Sequence, residues 1–126
     1  MLYLNKYKNF IIESALTDTK WVKEEDDGII EITLKDVIYY LDNKDIVELD
    51  PKELKHLLID VERDPKRVDN ADLSYPVILA EKDGELIEIL DGNHRIVKAI
   101  RDDVKIKARI LNLDKAPEKF KKVFLQ

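Results

Sequence analysis

Residues 76–100 read "PVILAEKDGELIEILDGNHRIVKAI". The apolar runs "PVILA" (76–80) and "ELIEIL" (85–90) have the composition of strands, and Lys82-Asp83-Gly84 between them is a hairpin signal. Asp91-Gly92 breaks the second strand. Beyond it, Ile96, Val97 and Ile100 recur at helical spacing in "NHRIVKAIRD" (93–102). The stretch predicts strand, turn, strand, tight loop and helix, and the rest of the chain is read outward from it.

Downstream, "VKIKARILNL" alternates apolar and basic residues from Val104 to Ile110, the mark of a half-buried strand. Ala116-Pro117 opens a short amphipathic helix carrying Phe120, Val123 and Phe124. Upstream, "VERDPKRVDNADLSYP" (61–76) predicts a loop with one helical turn. Asp50-Pro51-Lys52-Glu53 supplies a capping aspartate, a first-turn proline and a glutamate placed to reach back. It introduces a helix "PKELKHLLID" that buries Leu54, Leu57 and Leu58, and "VEL" (47–49) before it predicts a brief strand. Thr33 is placed to cap "LKDVIYYLDN", with Asp36 at the third helical position and Val37, Tyr40 and Leu41 on one face. Further back, "KEEDDG" predicts a polar turn closed by Gly28, with "IIEIT" a short strand after it. "NFIIESAL" (9–16) fits either a strand or a short helix. The expected class is α+β, a small mixed sheet with flanking helices.

The 126 residues amount to one domain. A hydrophobic fraction of 44% beside 39% charged residues describes a globular chain with a highly charged surface. The net charge of −5 argues against a generic nucleic-acid binder, which needs a broad basic face. With no cysteine, disulfides, thiolate metal sites and cysteine nucleophiles are excluded. His56 and His94, the two histidines, are too few for a histidine-rich metal centre, and no metal-ligand set is expected. Lys6 and Lys8 interrupt the apolar amino terminus, so neither a spanning helix nor a signal peptide is expected. The expected location is the cytoplasm, without a membrane partner.

Asp91-Gly92-Asn93-His94-Arg95 concentrates the chemistry. A loop passing from a strand into a helix presents unpaired N–H groups at the positive end of the helix dipole. Gly92 permits positive φ and close approach, Arg95 offers a forked cation, and His94 can donate to an oxyanion or move a proton. These are the parts of an anion-binding nest. They are equally the parts of a polar turn, with Asp91 or Asn93 capping the helix and Arg95 pairing with one of 27 acidic residues. By themselves the residues favour the turn.

The run "DGNHRIVKAI", preceded by "PVILAEKDGELIEIL" and followed by "VKIKARIL", resembles the core of the ParB/sulfiredoxin superfamily. "VELDPKELKHLL" is similar to that family's opening strand and first helix. The resemblance therefore covers about residues 46–112, leaving residues 1–45 without a counterpart and 113–126 as a terminal helix of the same single domain. It implies a nucleotide pocket for ATP, ADP or CTP, or for a phosphorylated small molecule. Gly92, Asn93, His94 and Arg95 would line the phosphate site, and Asp91 would hold the loop or contact a hydroxyl or Mg2+. If catalytic, the domain is expected to transfer a phosphoryl group or hydrolyse a nucleotide, with His94, Arg95 and Asp91 as the acting groups. Asn93 stands where sulfiredoxin has its cysteine, which excludes sulfinic-acid repair. Asn93 also departs from the histidine of the free-serine-kinase loop. The helix-turn-helix domain and dimerisation tail of partition proteins have no counterpart in the chain. The alternative is a non-catalytic module for a protein or DNA partner, or a ParB-like nuclease.

Other residues weigh less. Glu88 is a candidate base or metal ligand, but a solvated strand face suits it better. Arg67 and Tyr75 are candidates for phosphate contact and base stacking, with surface charge and packing as their ordinary roles. Lys105, Lys107 and Arg109 form a basic stripe whose default is a solvated edge. His56 reads as a helix-surface residue, and Trp21, Tyr39 and Tyr40 as core or boundary packing.

Overall fold

A computed structural model describes residues 19–58 and 64–125. In chain order its elements are β1 (Lys20–Glu25), β2 (Gly28–Thr33), α1 (Leu34–Leu41), β3 (Val47–Leu49), a 3-10 helix (Pro51–Leu57) and α2 (Pro65–Asn70). β4 (Val77–Lys82), β5 (Glu85–Asp91), α3 (Asn93–Asp102), β6 (Ile106–Asn112) and α4 (Glu118–Phe124) follow. The α+β class is as expected. The chain divides into two compact units: Asn43–Lys115, and the segments before and after it.

The unit of the outer segments holds β1, β2, α1 and α4. β1 and β2 form an antiparallel two-stranded sheet, with Trp21 opposite Ile32 and Glu25 opposite Gly28. "KEEDDG" is therefore not a turn throughout: Lys23, Glu24 and Glu25 complete β1, and Asp26-Asp27 alone makes the turn. Charges on both faces of β1 hid its alternation. Thr33 then closes a capping box, its hydroxyl accepting from the Asp36 amide at 3.0 Å and the Asp36 carboxylate accepting from the Thr33 amide at 2.9 Å. α1 buries Leu34, Val37 and Leu41. Tyr40 meets Phe120 edge-on at 5.2 Å, and Trp21 meets Phe124 at 5.1 Å. Tyr39 packs against neither; it is 86% exposed. The "NFIIESAL" reading lies outside the described residues.

The unit Asn43–Lys115 is built on a four-stranded mixed sheet in the order β3-β6-β4-β5. β4 and β6 run parallel, while the β3–β6 and β4–β5 pairs are antiparallel. The β4–β5 connection is the two-residue turn Asp83-Gly84, with φ of 53° and 83°, the left-handed pair a hairpin of this length needs. Asp114 secures it by accepting the Asp83 amide at 2.7 Å and Lys82 Nζ at 3.1 Å. β5 carries register shifts against β4, so that Glu88 lies opposite Ala80 and Asp91 opposite Ile78. β6 spans Ile106–Asn112, later than the 104–110 expected, and lies between two strands rather than at an edge. Its Lys107 faces Glu48 of β3, an opposite-charge cross-strand pair.

The core of this unit unites Val77, Leu79, Ile89, Ile106 and Ala108 of the sheet with Ile96 and Ala99 of α3 and Leu54. Burying each leucine-sized side chain contributes about 2 kcal/mol. Leu54 belongs to a 3-10 helix rather than the longer helix expected. Asp50 Oδ1 accepts the Lys52 amide, Glu53 N–H reaches Asp50 O, and the last turn closes from Leu58 to Lys55. That tighter winding leaves Leu57 and Leu58 only partly buried. The helical turn expected in 61–76 is α2, opened by Asp64 and Pro65 in the same way.

Candidate functional site

β5 ends at Asp91, and α3 begins at Asn93. Gly92 between them is buried at φ 114°, ψ 22°. A Cβ on it would stand 2.4 Å from Val77 Cγ1 and 2.8 Å from Val77 Cβ. Val77 is wholly buried, so the loop backbone rests on a fixed wall, and only glycine fits. Glycine has no side chain with which to cap the helix, and neither Asp91 nor Asn93 substitutes for it. The first intrahelical bond runs from Ile96 N–H to Gly92 O at 2.9 Å. Among the described residues the Asn93 and Arg95 amides, at the positive end of a ten-residue helix, have no acceptor. Asn93 Oδ1 is buried without a hydrogen-bond partner. His94 is half-buried beside it.

Arg95 does not extend away from the protein. Its terminal nitrogens donate to Pro76 O at 2.7 Å, Tyr75 O at 3.2 Å and Asp91 Oδ2 at 2.7 Å. The pair is largely shielded, with 19% of the Arg95 side chain and 31% of the Asp91 side chain exposed. The fork expected to grip phosphate thus binds the loop entering β4 to the loop leaving β5. Asp91 accepts one of these bonds through Oδ2.

Two further cations of α3 continue the pattern, and sequence reading had missed them. Lys98 Nζ donates to Asp69 O at 2.9 Å and Ala71 O at 2.8 Å, satisfying carbonyls at the end of α2. Arg101 pairs with Asp69 and Asp102. Arg95, Lys98 and Arg101 are spaced three apart, a single stripe on one helix face, and that spacing is visible in "NHRIVKAIR". The segment they hold is ordered within itself as well. Asp72 accepts from the Ser74 hydroxyl at 2.6 Å and its amide at 2.9 Å. These bonds, the hydroxyl's first, keep its carboxyl below the ordinary value, and the charges of Arg95 and Lys98 add to the effect.

The remaining candidates disperse. Glu88 is half-buried on β5, and burial pushes its carboxyl up. Arg67 is exposed on α2, and His56 is exposed on the 3-10 helix. Tyr75 is half-buried and contributes its carbonyl to Arg95. Lys105 and Lys107 are exposed, and Arg109 is half-buried. Among the described residues no three His, Cys, Asp or Glu side chains converge as a metal ion would require. Nor is any helix among them long and apolar enough to cross a membrane. No family model matches the chain, and neither a curated protein nor a solved structure matches it.

Proposed function

We propose that the start of α3 binds the phosphate of a small ligand, a nucleotide such as ATP, ADP or CTP first among them, in a domain of ParB/sulfiredoxin type. The observation that carries this reading is the uncapped helix start at Gly92, whose backbone is pressed against Val77 and beside which the Asn93 and Arg95 amides have no acceptor among the described residues. Within this reading Asn93 and Arg95 supply backbone donors, and His94 supplies the side chain nearest the ligand. Arg95 and Asp91 position the loop rather than grip the anion. If chemistry follows binding, it is phosphoryl transfer or nucleotide hydrolysis, with His94 donating to the phosphoryl oxygen or moving a proton. Mg2+ would arrive with the nucleotide.

Thermal shift and calorimetric titration with inorganic phosphate, ADP, ATP and CTP, each with and without Mg2+, test the reading. Stabilisation by a nucleotide at millimolar concentration or below is expected, weakened about tenfold or more in His94→Glu. That substitution places a carboxylate where a helix start favours one, so the fold persists while the anion is repelled. A protein that no phosphate-bearing ligand stabilises, or whose binding His94→Glu leaves unchanged, ends the proposal.

A further inference from the structure

The β1–β2 hairpin carries an independent feature. In an antiparallel pair, opposite residues alternate between exchanging both backbone bonds and exchanging none. Leu34 N–H donates to Thr19 O at 3.0 Å, and the Thr33 amide is turned away to Asp36. The bonded pairs therefore continue as Trp21–Ile32, Lys23–Ile30 and Glu25–Gly28, in the recorded register. Ile29 and Glu31 fall in the other set, so their N–H and C=O groups point outward from β2. Among the described residues only β1 pairs with β2, and the outer side of β2 is open. A groove of about 410 Å³ runs there, between Ile29, Ile30 and Glu31 on one side and Glu118, Lys119 and Lys122 of α4 on the other. Ile29 is 67% exposed.

We infer that this edge receives β2 of a second copy of the chain, antiparallel about a twofold axis at Ile30. The strand is complementary to itself in one register. Centring on Ile30 sets each Glu31 opposite Ile29 of the second copy, so the outward amides pair and no carboxylate meets its equivalent. A shift of two residues toward Thr33 would face Glu31 with Glu31 and require a Thr33 amide already held by Asp36. A shift the other way runs the pairing into the turn at Asp27. Ile30 shares its face with Trp21 and Ile32, the face packed on α4, so Ile30 of the second copy enters the groove beneath the aliphatic stems of Lys119 and Lys122. The outer side of β1 differs. Its Lys20, Lys23, Glu24 and Glu25 are the charges that protect an edge, whereas β2 offers three isoleucines and one glutamate. The association is isologous and closes at two copies.

A six-residue contact of this kind is small, so a dissociation constant on the order of 100 μM is expected. Sedimentation equilibrium from roughly 10 μM to 1 mM measures it, paired with residue-resolved amide exchange. The dimer should slow exchange at Ile29 and Glu31 as concentration rises, while Ile30, already bonded within the hairpin, stays unchanged. Glu31→Pro removes an outward amide that the hairpin does not use and should weaken association at least about tenfold. Val22→Pro, the same change on the outer side of β1, should leave it intact. If either proline unfolds the hairpin, the exchange pattern of the natural chain decides alone. A monomer at the highest concentration overturns the inference. A dimer that survives Glu31→Pro, or that leaves Ile29 and Glu31 exchanging freely, overturns it as well.

Discussion

At the start of α1, Thr33 and Asp36 exchange hydrogen bonds and the Leu34 amide donates to Thr19 O. At the start of α3, a buried glycine stands where the cap would be, and the Asn93 and Arg95 amides have no acceptor among the described residues. Both helices follow directly from strands, but Thr33 has extended backbone with room for its hydroxyl, whereas Gly92 sits at φ 114° against Val77, where a capping side chain has none. A reciprocal cap stabilises a helix and excludes a ligand from the same groups, whereas a bare start leaves the dipole unanswered. The molecule can tolerate the open start because α3 is held along its flank instead, by Arg95, Lys98 and Arg101.

Substitutions that disturb this contrast should rank by how firmly each group is held. Gly92→Ala comes first, because it forces a side chain to φ 114° and drives its Cβ into Val77. We expect a loss of about 3 kcal/mol, strain and overpacking together, measured by urea unfolding. Arg95→Met follows, at about 2 kcal/mol, since it keeps the stem but strips bonds from Asp91 and two carbonyls. Denaturant unfolding of this variant should be matched by faster exchange at Val77. Thr33→Ala should cost about 1 kcal/mol, read as faster amide exchange across α1, and leave any nucleotide response untouched.

The smallest effects concern pH. Burial raises the Glu88 carboxyl in the folded state, so folding favours its protonated form. Stability from this group is therefore present below its ordinary value of 4.5 and falls as pH rises through the raised one. Glu88→Gln removes that loss and should stabilise the protein at neutral pH by roughly a few tenths of a kcal/mol, the burial being incomplete. Asp72 has the opposite sign. Its carboxyl is lowered, so its contribution is present above 3.8 and lost as pH falls through the folded value. Asp72→Asn should flatten the acid limb of a stability profile at which Glu88→Gln has little effect.

Local rules made much of this legible. The Asp83-Gly84 turn, the Thr33 box and the bounds of α3 follow from turn chemistry, capping and period, all short-range. β1 was lost because its charged residues lie on both faces, and burial rather than alternation decides which of them face α4. The 3-10 winding at Pro51 was also out of reach, since Asp50-Pro51 and Asp64-Pro65 give the same signal and end in different helices. At the candidate site the residues could be named, but not their employment. Arg95 faces inward because Pro76 and Tyr75 present carbonyls there, a consequence of a loop twenty residues earlier in the chain.

The Arg95 bridge gives the two loops a common fate. With one guanidinium bonded to Asp91, Tyr75 and Pro76, neither loop opens without the other, and the pair should behave as one cooperative exchange unit. An anion that tightened the first turn of α3 would then slow opening at residues 75–77 without moving an atom there. Communication of that kind resides in the rates of opening and would leave an average structure unchanged.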